Sequence, residues 1–136
     1  MIYQKEITLP SFPRGCHLIT RLIEQSLPSL PQSGLLHIFL KHTSAGLTLN
    51  ENADATVRFD MENILDRMVP ESHVYQHDDE GSDDMPAHAK SSLTGASLMI
   101  PVSGGRLNMG TWQGVYLCEF RNRGGARKMV ITVMGE

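Results

Sequence analysis

LLHIFLKHT, residues 35–43, alternates side by side along its whole length. Leu36, Ile38, Leu40 and His42 fall on one face, and Leu35, His37, Phe39 and Lys41 on the other. Period-two alternation of this kind reads as a strand with one buried face. His42 continues that buried face and opens onto the polar turn Thr43-Ser44-Ala45-Gly46. A histidine placed there is either a satisfied core group or a site residue presented from a strand end.

Working outward from this strand, the chain mixes both periodicities. Ile2–Leu9 alternates and stops at Pro10, which suits a first strand. Phe12-Pro13-Arg14-Gly15 reads as a turn. From His17 onward, Leu18, Ile19, Leu22, Ile23 and Leu27 fall at helical spacing until Pro28. Downstream, Leu47–Asn50 resumes a short strand. Asn52 or Asp54 can cap the next helix, whose expected apolar stripe is Val57, Met61, Ile64, Leu65 and Met68. Asn50 and Glu51 are polar groups in excess of what one cap needs, at a helix N-terminus where anions bind well. Ser97–Val102, Gly114–Arg121 and Lys128–Met134 read as further strands. In the second of these Glu119 is in line with Val115 and Leu117, so it must be paired or lie near the sheet's end. No repeat, linker or low-complexity segment divides the chain, so residues 1–136 read as a single domain.

The densest chemistry lies in YQHDDEGSDDMPAHAKSSLT, residues 75–94. Asp78, Asp79, Glu80, Asp83 and Asp84 crowd into seven positions, with His77 and His88 on either side. Such a run repels itself unless a cation, donors or solvent offset it. Asp84-Met85-Pro86 reads as a helix start, and His88, Ser91 and Ser92 then share one face. The run is either a solvated loop or a carboxylate cluster delivered to a site.

Formal net charge is −3 and pI is about 6.0, which argues against nucleic acid or a membrane surface held by bulk charge. No apolar run approaches the ~18 residues of a membrane helix. The first residues show no signal peptide. Cys16 and Cys118 have no metal-type spacing and read as reduced thiols of a cytoplasmic protein.

Three separated motifs, HTSAGLTLNENAD (42–54), DDMPAHAKSSLTGASLMIPV (83–102) and GTWQGVYLCEF (110–120), resemble the YjbQ family, also called the secondary thiamine-phosphate synthase family. The resemblance runs nearly end to end. It implies an α+β domain of mostly antiparallel strands, with two or three helices, associating as a homotrimer. It also implies a pocket built from the motifs and a weak thiamine-phosphate synthase activity. His42, Thr43 and Ser44 match the family's His-Thr-Ser/Thr-Ala element, and Asn50-Glu51 its Asn-Glu element. Asp84, Pro86, His88 and Lys90 match its acidic loop and helix start. Gly110-Thr111-Trp112-Gln113 match its Gly-Thr-Trp-Gln turn, and Glu119 its late carboxylate.

Joining a pyrimidine-methyl pyrophosphate to a thiazole phosphate expels pyrophosphate. That chemistry calls for a divalent cation, phosphate donors and a platform for the rings. His42, Glu51, His88, Lys90 and Glu119 are the expected catalytic groups. Thr43, Ser44, Asn50, Ser91, Thr111, Trp112, Gln113 and Arg127 are the expected substrate contacts. Trp112 is either a stacking platform or a core residue. Oxygen ligands suit Mg²⁺, whereas His42, His77 and His88 with Asp84 suit Zn²⁺. Two other classes stay open: a module that binds a metal or phosphorylated metabolite without turnover, and a purely structural trimer.

Overall fold

The computed structural model describes residues 1–136. Eight strands and three helices follow in the order β1 (Ile2–Thr8), β2 (Gly15–Leu18), α1 (Thr20–Ser26), β3 (Ser33–Leu40), β4 (Ala45–Glu51), α2 (Ala55–Met68), α3 (Asp84–Thr94), β5 (Ser97–Ser103), β6 (Arg106–Leu107), β7 (Gln113–Glu119) and β8 (Lys128–Gly135). Every pairing is antiparallel. A five-stranded sheet runs β1-β8-β3-β5-β6 and a three-stranded sheet runs β2-β7-β4. No helix is long and apolar enough to cross a membrane.

The fold is three layers. Leu36, Ile38 and Leu40 of β3, with Ile100, Val102, Met129, Ile131 and Val133, face Ala45, Leu47, Val115 and Leu117 of the smaller sheet. The alternation expected of residues 35–40 is thus the one observed. The smaller sheet is buried on its other face too. There Cys16, Tyr116, Cys118 and Phe120 meet Leu65 of α2 and Ala87 of α3. β7 is therefore apolar at every inner position, as a strand covered on both faces must be. The outer face of the larger sheet has no cover, and Leu35, Phe39, Met99 and Met134 are exposed there.

Two sequence expectations give way. Residues 15–18 are strand, not the start of a helix, because Cys16, His17 and Leu18 pair with Cys118, Leu117 and Tyr116. The helical spacing from Leu18 to Leu27 is satisfied only from Thr20 onward, where Ile23 is fully buried. Pairing across the chain overrides a local period that four residues could fit either way. On α2, Ile64 and Met68 face solvent, and Val57, Met61 and Leu65 alone turn to the sheet. Asp54 caps this helix by accepting from the Thr56 amide at 2.9 Å.

α3 is held hard against the small sheet. A Cβ on Gly46 would lie 1.8 Å from Thr94 Oγ1, so only glycine allows this approach. Gly95, at φ +95°, ends the helix and accepts the Leu47 amide, which ties the helix terminus to β4. This packing fixes where the first turn of α3 sits.

Candidate functional site

The first turn of α3 carries Asp84, and one turn later comes His88. Asp84 is 2 % exposed, and its two oxygens do different work. Oδ1 accepts from the Arg121 guanidinium. Oδ2 lies 2.5 Å from His77 Nε2 and 3.3 Å from His88 Nε2. His88 Nδ1 donates to the Thr43 carbonyl at 2.8 Å, which leaves the Nε2 lone pair pointing at the cluster. The two imidazole rings are 5.5 Å apart, centre to centre. One donor atom from each of His77, Asp84 and His88 falls within 4.8 Å of the others.

The donor chemistry fits a transition-metal ion. Two imidazole nitrogens and one carboxylate oxygen are the ligand set of an open zinc-type site, which keeps one position for water or substrate. The His88–Asp84 separation of 3.3 Å suits two ligands of one ion, given metal–ligand bonds near ~2.1 Å. His77 and Asp84 are at hydrogen-bonding distance and share a proton. His77 is accordingly pushed up from its ordinary pKa by the Asp84 bond. Burial pushes the Asp84 carboxyl up, but the His77 bond, Arg121 and His88 outweigh it and hold Asp84 below the usual range.

Arg121 is the organiser the sequence reading missed. Its Nε donates to Asp83 Oδ2 at 2.9 Å, and its Nη2 to the Glu80 carbonyl at 2.9 Å. Asp83 Oδ2 also accepts the Asn122 amide at 2.8 Å. The available signal was an arginine, Arg121, two residues beyond the strand-end carboxylate Glu119. Asp78, Asp79 and Glu80 are exposed, so the solvated-loop reading describes that part of the run.

Beside the cluster is a shallow depression lined by His42, Thr43, His88, Ser91, Ser92, Gly95 and Ala96. His42 is on its rim, but its Nε2 accepts the Lys128 amide at 2.8 Å and its Nδ1 faces Arg127. Burial and then the Arg127 charge push its pKa down, so His42 is neutral and its Nε2 lone pair is occupied. Ser91 donates to the Ala45 carbonyl and Ser92 to that of His88. Arg127 is 4 % exposed and grips Glu119 through Nε and Nη2, with a further bond to the Ser44 carbonyl. Lys90 is 1 % exposed, paired to Asp66 and set over the Phe120 ring at 5.8 Å. The expected catalytic group Lys90 and the expected substrate contact Arg127 are therefore both committed inside the protein.

The remaining expected residues gather elsewhere. Glu51 pairs with Gln113 at one end of β4 and β7, whereas Ala45 pairs with Glu119 at the other. At the ~3.3 Å rise of a strand these ends are roughly 20 Å apart. At the far end Asn52 donates to the Thr111 and Gln113 carbonyls, and its amide to that of Trp112. Trp112 is 64 % exposed and so is not a core residue. Asn50 and Glu51 line a narrow cavity under α2 with Arg58 and Tyr116. One chain brings together His77, Asp84, His88, Thr43 and the rim of His42; it does not bring Asn50, Glu51 or Thr111–Gln113 to them.

Residues 5–136 match the model of the family described as UPF0047 protein YjbQ-like. The chain belongs to this family. It is 56 % identical over 138 residues to the UPF0047 protein YjbQ of Salmonella typhimurium, and 53 % identical to that of Escherichia coli O157:H7, with full coverage of both chains in each case. Among solved structures, a conserved hypothetical protein of Thermus thermophilus is 35 % identical, with a TM-score of 0.81 over 93 % of this chain and 97 % of its own. A YbjQ-like protein of unknown function from Sulfolobus solfataricus has a TM-score of 0.86 at 23 % identity, covering 100 % of this chain and 99 % of its own, and so shares the fold. The YjbQ-like α+β fold expected from the three motifs is thus the fold found.

Proposed function

We propose that this YjbQ-like protein holds a divalent transition-metal ion at His77, Asp84 and His88 and acts through it on a small phosphorylated metabolite. The reaction we assign is thiamine-phosphate synthase-type condensation with release of pyrophosphate. One observation carries the metal: two imidazoles converge on one oxygen of a buried carboxylate whose other oxygen is already neutralised by Arg121. Two nitrogen donors favour a zinc-like ion over Mg²⁺, which prefers an all-oxygen shell. A second observation gives the ion its task. Lys90 and Arg127 are buried in ion pairs, so neither is free to meet the charge of a departing pyrophosphate. A bound cation supplies that charge neutralisation. Thr43 fixes the His88 tautomer, and Asp84 sets the separation of the two rings.

Binding without turnover is the second reading. Glu51 and the turn that carries the exposed Trp112 lie at the opposite end of β4 and β7 from Ala45 and Glu119, roughly 20 Å along the strands, whereas His88 bonds to Thr43 just before β4. The synthase reading therefore needs a second copy to bring them together. The exposed Leu35, Phe39, Met99 and Met134 face supports such an assembly, with a homotrimer the expected form. A cytoplasmic setting suits the two free thiols.

The test is elemental analysis of purified wild type and His88→Ala, with product formation from the two phosphorylated precursors followed in parallel. The wild type should hold about one ion per chain, and His88→Ala should lose both ion and product while melting normally. Full metal and full activity in His88→Ala would sink the site. Stoichiometric metal with no product after long incubation would leave the binding reading alone. Light scattering should give about three times the chain mass, and a monomer at micromolar concentration would remove any shared pocket.

A further inference from the structure

Cys16 and Cys118 are far apart in sequence and directly opposed in space. They are register partners in the β2–β7 ladder, and their sulfurs lie 3.4 Å apart. The Ile19 amide bonds to the Val115 carbonyl, three pairs along the same ladder. Pairs in an antiparallel ladder alternate between bonded and non-bonded, so Cys16 and Cys118 occupy a non-bonded position. The Cys16 amide agrees with this, pointing away from β7 and donating to Glu62 of α2 at 2.8 Å. At non-bonded positions the Cα atoms are about 4.5 Å apart, inside the range a disulfide spans. The two sulfurs, already in contact, thus meet the Cα-spacing condition for a disulfide.

The surroundings distinguish the two thiols. Cys16 is 8 % exposed and Cys118 1 %. Both line the cavity between the small sheet and α2, together with Arg58, whose Nε has no hydrogen-bond partner. The hydrogen bond with Cys118 lowers the pKa of Cys16 against burial and the Glu62 charge, with Arg58 assisting. The same bond and burial push Cys118 far up. The cavity offers about 40 Å³, room for a water-sized guest but not for a metabolite.

We infer that Cys16 and Cys118 form a peroxide-reactive pair, with Cys16 the attacking thiol and Cys118 the resolving one. The Cys16 thiolate attacks one peroxide oxygen, the O–O bond breaks, and the hydroxide released takes up a proton to become water. Cys16 is then a sulfenic acid. Cys118 attacks the Cys16 sulfur, the S–O bond breaks, and the departing hydroxide takes the Cys118 proton as a second water. Two thiols are oxidised to one disulfide and one hydrogen peroxide is reduced to two waters. The bond would clasp edge strand β2 to β7, one pair from Glu119.

The experiment treats the folded full chain with hydrogen peroxide, quenches, unfolds, alkylates with iodoacetamide and reads intact mass. The wild type should lose two hydrogens, resist alkylation, stay a single chain on a non-reducing gel, and recover both thiols with dithiothreitol. Cys118→Ser should instead gain one oxygen at Cys16, and Cys16→Ser should be unchanged at the same dose. Circular dichroism of each variant confirms that it is folded before treatment. Two alkylatable thiols after peroxide, disulfide-linked dimers, or equal inertness of folded Cys118→Ser and Cys16→Ser would each overturn the inference.

Discussion

Replacing Glu119 by glutamine should be strongly destabilising. The Glu119 side chain is fully buried, and both oxygens are engaged: Oε1 with Arg127 Nε at 2.8 Å, Oε2 with Arg127 Nη2 and with the Arg121 amide at 3.1 Å. All three partners are N–H donors. The amide of Glu119→Gln would place an NH₂ against one of them whichever way it turns. Its neutral oxygen would also leave the buried Arg127 guanidinium without a counter-charge. Breaking a buried pair from one side costs about 3–5 kcal/mol. A chain of 136 residues has a total stability of roughly 7–15 kcal/mol, so about a fifth to two thirds would be lost. Gly124 offers no relief, because it packs so close that a Cβ there would sit 2.2 Å from Oε1. Urea denaturation at neutral pH measures the loss directly. The double variant Glu119→Leu with Arg127→Met should recover most of it, since no unpaired charge remains. A loss below about 1 kcal/mol in Glu119→Gln, with an unchanged denaturant slope, would show that this pair is not desolvated as the geometry requires.

Asp54→Ala should cost about 1 kcal/mol in the same assay, because it removes the acceptor for both the Thr56 amide and hydroxyl at the start of α2; no change would mean that α2 frays freely. His42 should make stability fall with acidity. Burial and Arg127 lower its folded pKa, with Lys128 and Lys41 acting in the same direction and Glu119 opposing. The unfolded chain therefore binds the proton more readily, and the His42 contribution is complete above about pH 6.5 and lost as pH falls below it. The stability gap between wild type and His42→Gln should shrink from about pH 7.5 to 5.5; a constant or widening gap would reverse the assignment.

Four strands of the larger sheet, β1, β3, β5 and β8, were legible because they are buried on one face and alternate accordingly; the two-residue β6 was not. Leu36, Ile38 and Leu40 could be placed from period alone. β2 was not legible. Its four residues carry too few alternations to outvote the helical spacing that runs on through Ile19, Leu22 and Ile23, and only the register with β7 decides it. α2 misled for a related reason. Its stripe is wide enough to reach Ile64 and Met68, and nothing local says that the small sheet is too narrow to cover them.

The candidate site was half legible for an electrostatic reason. Residues 75–94 announced a conflict: five carboxylates and two histidines in one short stretch need something to offset them. A bound cation was the natural answer from sequence, with His42 as the partner across the pocket. The chain itself supplies part of that answer through Arg121, which satisfies Asp83 and one oxygen of Asp84. His42 is held by the Lys128 amide instead. Arg121 narrows what the proposed cation would have to neutralise. Without Arg121, the buried Asp83 and Asp84 would be two unpaired charges, and a cation recruited there would be structural. With Arg121 on Oδ1, Asp84 turns its other oxygen, Oδ2, to His77 at 2.5 Å and His88 at 3.3 Å. The arginine thus turns a diffuse acidic patch into a single directed donor, as the proposed coordination by His77, Asp84 and His88 would require.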